Sequence, residues 1–299
     1  MPKLLKAGDV IGIAAPSSPF DRNQFKHGVA ELHKMGFEVW HRDDIFQQER
    51  YLAGSDERRA EELTELFTKK DVRAVMFARG GYGSQRIIKN LKIEIIKKHK
   101  KPVIGFSDIT ALLTFLMQEA QMPVFYGPVI TQLGKNPSAR TMESLKNCLM
   151  QGNPAPSIDL THCHILKEGS AEAALTGGCL SLIASGIGTP YELQTKDSIL
   201  FFEDTGEKVY ALDRMLTHLK NAEKLSGVQG IIVGSLEPKE EEVHSIDGML
   251  EDILKDFAGP VVTHFPAGHL DDFITLPLGV TVRLDTQNKK LDFSASHFK

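Results

Sequence analysis

Apolar residues in the first half of the chain come in short blocks separated by amphipathic stretches. Val10-Ile-Gly-Ile-Ala-Ala15 is stopped by Pro16-Ser-Ser-Pro19, the pattern of a buried strand that ends in a loop. Phe25, Val29, Leu32 and Met35 then recur at helical spacing, and Gly36 stands where a C-terminal cap belongs. Phe37-Glu-Val-Trp40 alternates like a strand, with Trp40 expected in the core. A second cycle starts at Ser55, placed to cap a helix whose first turn carries Asp56 and Glu57 and whose stripe is Ala60, Leu63, Leu66 and Phe67. The strand Val72–Ala78 follows and breaks at Arg79-Gly-Gly-Tyr-Gly83; a helix is expected through Ile87, Ile88 and Leu91. Pro102–Phe106 reads as a buried strand and Ile109–Met117 as a helix. Strands alternating with helices predict an α/β layer with a parallel sheet covered on both faces.

Periodicity fails at Gln151-Gly-Asn-Pro-Ala-Pro156, where turn formers cluster. This places a first domain at 1–150, a linker at 151–168 and a second, smaller domain at 169–299. The second domain contains Leu175-Thr-Gly-Gly-Cys-Leu180, strands at Ser198–Phe202, Gly230–Gly234 and Pro260–Thr263, a helix around Tyr210–Leu219 and a strand-rich end, and reads as mixed α+β.

Composition narrows the class. The 299 residues are 41% hydrophobic and 25% charged, close to soluble globular averages, which excludes disordered and fibrous chains. With 35 basic against 39 acidic residues there is no electrostatic reason to expect nucleic acid as a partner. Three widely spaced cysteines, without CxxC, fit a reducing cytoplasm. Gly8-Asp9 interrupts the N-terminus before any signal-peptide-like apolar run. No stretch approaches the roughly 18 apolar residues of a membrane span.

The pattern Gly105-Phe-Ser107-Asp108-Ile109 sets a serine between a buried strand and a helix. Such a turn lifts a hydroxyl off the sheet and aims the next backbone N–H at a developing oxyanion. The plain alternative is a helix cap, since serine is a preferred one; Ile109 also replaces the second glycine of GxSxG. A serine nucleophile needs a base oriented by a carboxylate. His269, in the loop Phe265-Pro-Ala-Gly-His269, is the candidate base, and His264, at a strand end, is the candidate for packing or capping. Glu203 of Phe202-Glu-Asp204 is the candidate carboxylate; alternatively both acids solvate a strand end. Gly80-Gly-Tyr-Gly83 lacks the phosphate-loop and dinucleotide signatures; it is either a tight turn or a close backbone approach in which Gly81 supplies a second oxyanion donor. His162-Cys-His164 lacks a second ligand pair at zinc spacing, so no metal is expected.

These motifs, together with Leu52-Ala-Gly-Ser-Asp56 and Arg59, Gly177-Gly-Cys-Leu-Ser181, Asp213-Arg214 and Leu276-Pro-Leu-Gly279, occur in an order that resembles the LD-carboxypeptidase family of serine peptidases, which includes the microcin C immunity hydrolases. The resemblance runs from about Gly8 to Val280. It implies Ser107 as nucleophile, His269 as general base and Glu203 as its orienting carboxylate, with the N–H groups of Asp108 and Gly81 forming the oxyanion hole. It further implies an N-terminal Rossmann-like domain carrying the serine, a C-terminal domain carrying Glu203 and His269, and a homodimer. The implied substrate is a murein tetrapeptide, from which terminal D-alanine is released in cytoplasmic peptidoglycan recycling without metal or cofactor. Arg79 is the candidate cation for the substrate carboxylate, or else structural. The alternatives are hydrolysis of aminoacyl-nucleotide antibiotics and, from another class, a non-catalytic peptide-binding module. Cys179 stands where the family often has Asn.

Overall fold

A computed structural model describes residues 4–151, 157–237 and 245–294. They form two compact units, one from residues up to 151 with Asp271–Pro277 and the other from the described parts of 157–270 and 278–294.

The first unit is built on β1 (Val10–Ala14), β2 (Glu38–Trp40), β3 (Val72–Phe77), β4 (Val103–Gly105) and β5 (Val124–Tyr126). They pair in the order β5-β4-β3-β1-β2, all parallel. Ile11 and Ile13 of β1, Ala74 and Met76 of β3 and Ile104 of β4 share a core with Phe25 and Leu32 of the helix Arg22–Lys34. The helix Asp56–Thr68 starts where expected, with the Ser55 side chain accepting the Arg58 N–H. Both helices follow from local pattern, an apolar period and a side-chain N-cap (Asp21 and Ser55), with an acidic first turn added in the second.

Other elements depart from the sequence reading. The helix expected through Leu91 is split into the short turns Ser84–Ile87, Ile88–Asn90 and Ile93–Ile96. Trp40 is half-buried on edge strand β2, with the Lys69 ammonium 4.6 Å above its ring. β5 and the helix Ala139–Gln151 were not legible as elements.

The second unit holds an eight-stranded sheet: β6 (Ser157–Asp159), β7 (His164–Lys167), β8 (Ser170–Cys179), β9 (Ser198–Thr205), β10 (Gly230–Glu237), β11 (Val261–Thr263), β13 (Thr281–Asp285) and β14 (Lys290–Phe293). β8, β9, β10 and β11 are parallel neighbours; β13, β14 and β6 extend the β8 edge antiparallel, and β7 closes the β11 edge antiparallel. The stretch 151–168, read as linker, therefore contributes two sheet strands. β9 is buried from Ser198 to Asp204, as a parallel strand covered on both faces must be.

The chain returns to the first unit within the span assigned to the second domain. β12 (Leu276–Leu278) joins the first sheet beside β5. The segment before it is tied to the helix Ala139–Gln151: the Phe273 N–H donates to Thr141 Oγ1 (2.9 Å) and the Thr275 N–H to Ser144 Oγ (3.2 Å). These hydroxyls satisfy backbone N–H groups of a segment that has no strand partner of its own.

Candidate active site

In the first unit, β4 runs into Ser107, whose φ of 62° is left-handed. A 3-10 turn, Ser107–Ile109, and the helix Thr110–Ala120 follow. Neither has a side-chain cap, and Ser107 is the first residue of the turn, not the residue before it. A left-handed serine costs of order 1–3 kcal/mol and persists only where the surroundings enforce it. Here Phe106 packs on Tyr126 and Phe273, with ring centroids 6.2 and 5.4 Å away, and the Ser107 N–H donates to the Tyr126 hydroxyl at 3.3 Å.

Gly80 lies against this turn. A Cβ there would stand 3.2 Å from Ser107 Oγ and 3.5 Å from the Asp108 backbone nitrogen. A side chain at this position would crowd the Ser107 hydroxyl, so glycine lets the β3 turn lie close against it. Gly81 has a φ of 100° and faces Ser18, whose Oγ accepts the Tyr82 N–H at 3.1 Å. Arg79 donates to the Pro19 carbonyl at 2.7 Å and is otherwise exposed.

In the second unit, Glu203 lies at the carboxyl end of β9 and is wholly buried. Its Oε2 is 2.7 Å from His269 Nδ1 and also accepts the His269 backbone N–H at 3.1 Å. Burial acts to lower the His269 pKa, but the hydrogen bond and charge of Glu203, helped by Asp204 and Glu237, outweigh it and hold the imidazole above its ordinary value. Asp204 points to the other side of the strand. Its Oδ2 accepts the Ser181 N–H (2.7 Å) at the start of the helix Leu180–Gly186, and its Oδ1 the Thr205 N–H (2.8 Å). Strand alternation thus separates the two acids, one toward a histidine and one toward a helix N-terminus. Burial raises the Asp204 pKa against those bonds. Cys179 pairs with Glu203 across β8 and β9; burial, with the nearby Glu203 and Asp204 charges, pushes its thiol well up, so it is inert.

His264 lies just past β11, exposed, with Nε2 3.0 Å from Asp247 Oδ1. It faces a cavity of about 490 Å³ lined by Val233, Leu236, Asp247 and Leu270, among others. His164 Nδ1 contacts Thr263 Oγ1 at 3.3 Å and His162 is exposed. Among the described residues no group of three or more His, Cys, Asp or Glu side chains is arranged to hold a metal ion, and no helix is long and apolar enough to cross a membrane.

Sequence reasoning gave no role to the residues that hold these loops, naming Arg59 only among the family motifs and Glu62 not at all. Arg59, fully buried, donates to the carbonyls of Gly83 (2.9 Å) and Pro16, and Glu62 accepts the Ala15 N–H at 2.8 Å. The available signal was a charged residue at an apolar position of an otherwise regular stripe.

Residues 11–127 match the LD-carboxypeptidase N-terminal domain and 172–284 the LD-carboxypeptidase C-terminal domain. The chain is also 35% identical to a probable murein peptide carboxypeptidase of Bacillus subtilis, over 96% of this chain and 92% of that protein. The chain belongs to the LD-carboxypeptidase family. A second LD-carboxypeptidase relative, the murein tetrapeptide carboxypeptidase of Pseudomonas aeruginosa, is 30% identical over 92% of each chain. Among solved structures, the microcin C7 self immunity protein MccF superposes with a TM-score of 0.92 at 25% identity, covering 99% of both chains. The muramoyltetrapeptide carboxypeptidase of Oxalobacter formigenes does so with a TM-score of 0.86 at 27% identity, over 95% of this chain and 98% of that one. Membership of the LD-carboxypeptidase family makes the protein a serine-type carboxypeptidase, not a binding module.

Proposed function

We propose that the protein hydrolyses the amide between an L-configured centre and the terminal D-alanine of murein tetrapeptides, using Ser107, His269 and Glu203. The observation that carries this reading is the Glu203–His269 pair: a buried carboxylate on Nδ1 fixes the tautomer that leaves Nε2 free of its proton. In this mechanism His269 takes the Ser107 proton as Oγ attacks the carbonyl carbon. The oxyanion receives the backbone N–H groups of Asp108 and Gly81. The C–N bond then breaks, D-alanine leaves with the proton returned by His269, and the tripeptide stays as an ester on Ser107. Water, deprotonated by the same imidazole, attacks that ester and frees the enzyme. Arg79, exposed beside the Gly80–Gly83 turn, is assigned to the substrate's terminal carboxylate. No step uses a metal or cofactor. A homodimer in the cytoplasm, within peptidoglycan recycling, belongs to the same proposal.

A second reading is favoured by the likeness to MccF, one structure of which holds glutamyl sulfamoyl guanosine: hydrolysis of an aminoacyl-nucleotide amide by the same residues. A two-substrate assay separates the readings. Release of D-alanine from murein tetrapeptide, with no cleavage of an aminoacyl sulfamoyl nucleoside, is the expected result; the reverse preference transfers the assignment to the second reading. Ser107→Ala is expected to abolish turnover and fluorophosphonate labelling in a folded protein, and wild-type turnover in that variant removes Ser107 as nucleophile.

A further inference from the structure

We propose that the Asp108 side chain is a positioning residue for the reaction: by holding the two loops that Arg59 also holds, it fixes the spacing of the two backbone N–H groups that receive the oxyanion. This rests on the assignment of Ser107, Asp108 and Gly81 above, but concerns a carboxylate which that assignment leaves without a role.

Asp108 is 2% exposed. Its Oδ2 accepts both the Ser17 hydroxyl (2.5 Å) and the Ser84 N–H (2.8 Å), and its backbone carbonyl accepts the Ser84 hydroxyl (2.5 Å). Arg59 grips the residues immediately before these two serines, through the carbonyls of Pro16 and Gly83. One buried cation and one buried anion therefore hold the same two loops, one through acceptors and the other through donors. The Arg59 guanidinium is paired directly with Asp56, and the Asp108 charge adds a weaker attraction across the cluster.

Both loops bear on the oxyanion donors. Ser84 follows the Gly80–Gly83 turn that carries the Gly81 N–H, and Ser17 precedes Ser18. The Ser18 N–H donates to the Gly80 carbonyl at 3.3 Å and its Oγ accepts the Tyr82 N–H at 3.1 Å, spanning Gly81 on both sides. Asp108 itself supplies the other N–H. Its side chain is thus a tether of fixed length between one donor and the turn bearing the second. Donors stabilise an oxyanion only when both lie about 2.7–3.1 Å from it, and a displacement of about 1 Å costs roughly a hundredfold. Turning the carboxylate onto Ser17 and Ser84 also keeps its charge away from the oxyanion that its own N–H stabilises.

The test compares full-length Asp108→Ala, Asp108→Asn and Ser17→Ala on murein tetrapeptide, reading kcat, KM and the affinities for a peptide boronate and for the product tripeptide. Asp108→Ala is expected to lower kcat about a hundredfold with KM within about twofold, and to weaken the boronate by the same factor as kcat/KM while tripeptide affinity stays unchanged. The amide oxygen of Asp108→Asn can take both bonds of Oδ2, so this variant should recover about tenfold of that loss, and Ser17→Ala should lose kcat in the same sense by less. Wild-type kcat in Asp108→Ala, or a loss confined to KM or to thermal stability, overturns the proposal. If Asp108→Ala does not fold, unchanged kcat and boronate affinity in Ser17→Ala does so. Turnover by Ser107→Ala would instead strike down the underlying assignment, whereas an inactive Ser107→Ala beside a fully active Asp108→Ala strikes down this inference alone.

Discussion

Glu203 holds His269 twice through one oxygen: Oε2 lies 2.7 Å from Nδ1 and 3.1 Å from the backbone nitrogen of the same residue. The ring and the loop that carries it are therefore set by a single carboxylate, and ring orientation is coupled to loop conformation.

The first consequence is in pH. In the proposed mechanism His269 must be neutral to accept the Ser107 proton, and Glu203 holds its pKa above the ordinary value. The acid limb of kcat/KM is therefore expected above about pH 6.5. Glu203→Gln should move that limb to lower pH while reducing the plateau by as much as about 10⁴ through the wrong tautomer. Stability runs the other way. The raised folded pKa gives an increment that is full below the unfolded histidine value and lost as pH rises through the folded one. A pH–rate profile and melting temperatures across pH 5–9 check both signs; a limb unmoved by Glu203→Gln contradicts the coupling.

Neighbouring carboxylates should have opposite phenotypes. Asp204→Ala leaves the N–H groups of Ser181 and Thr205 without their acceptor and is expected to cost about 1–3 kcal/mol of stability, with kcat reduced much less than by Glu203→Gln. Denaturant titration beside steady-state kinetics resolves the two.

Gly268→Ala is expected to inactivate. Gly268 has a φ of 118°, and a Cβ there would strike the Glu203 carboxylate. Backbone strain of order 1–3 kcal/mol adds to displacement of the acceptor from Nδ1. The measurement is kcat/KM together with the imidazole pKa by NMR, which should fall toward the ordinary value as the pair opens.

The two histidines of this loop are distinguished by a pair of alanine variants. His269→Ala should lose roughly 10⁴ or more of kcat, as loss of a triad base does. His264→Ala, which removes an exposed contact to Asp247, should stay within about threefold in kcat/KM on the surface-substitution scale. The reverse ranking moves the base to His264.

Much of the frame was legible in one dimension. Buried parallel strands announce themselves as unbroken apolar runs, and Ser55 and Gly36 mark helix ends through local backbone chemistry. The pattern also put Ser107 after a strand and His269 in a loop after one. It could not show β5 or the helix Ala139–Gln151, whose amphipathic and short apolar signals are ambiguous without partners. Nor could it read 151–168 as sheet, because β6 and β7 are edge strands stabilised by pairing with β14 and β11, not by an apolar run of their own.

The sequence by itself determined the residue types, their order, and the strand ends on which the chemistry stands, because those follow from period, capping and turn preference. Only the tertiary structure gave the reason that Glu203, the candidate, and not Asp204 reaches the histidine: side chains at successive strand positions face opposite ways, so Glu203 meets His269 while Asp204 meets the helix at Ser181. It likewise decided that Asp108 and Arg59 grip the same two loops. Contacts between residues dozens of positions apart depend on how sheets and helices close over one another, and no local pattern encodes that.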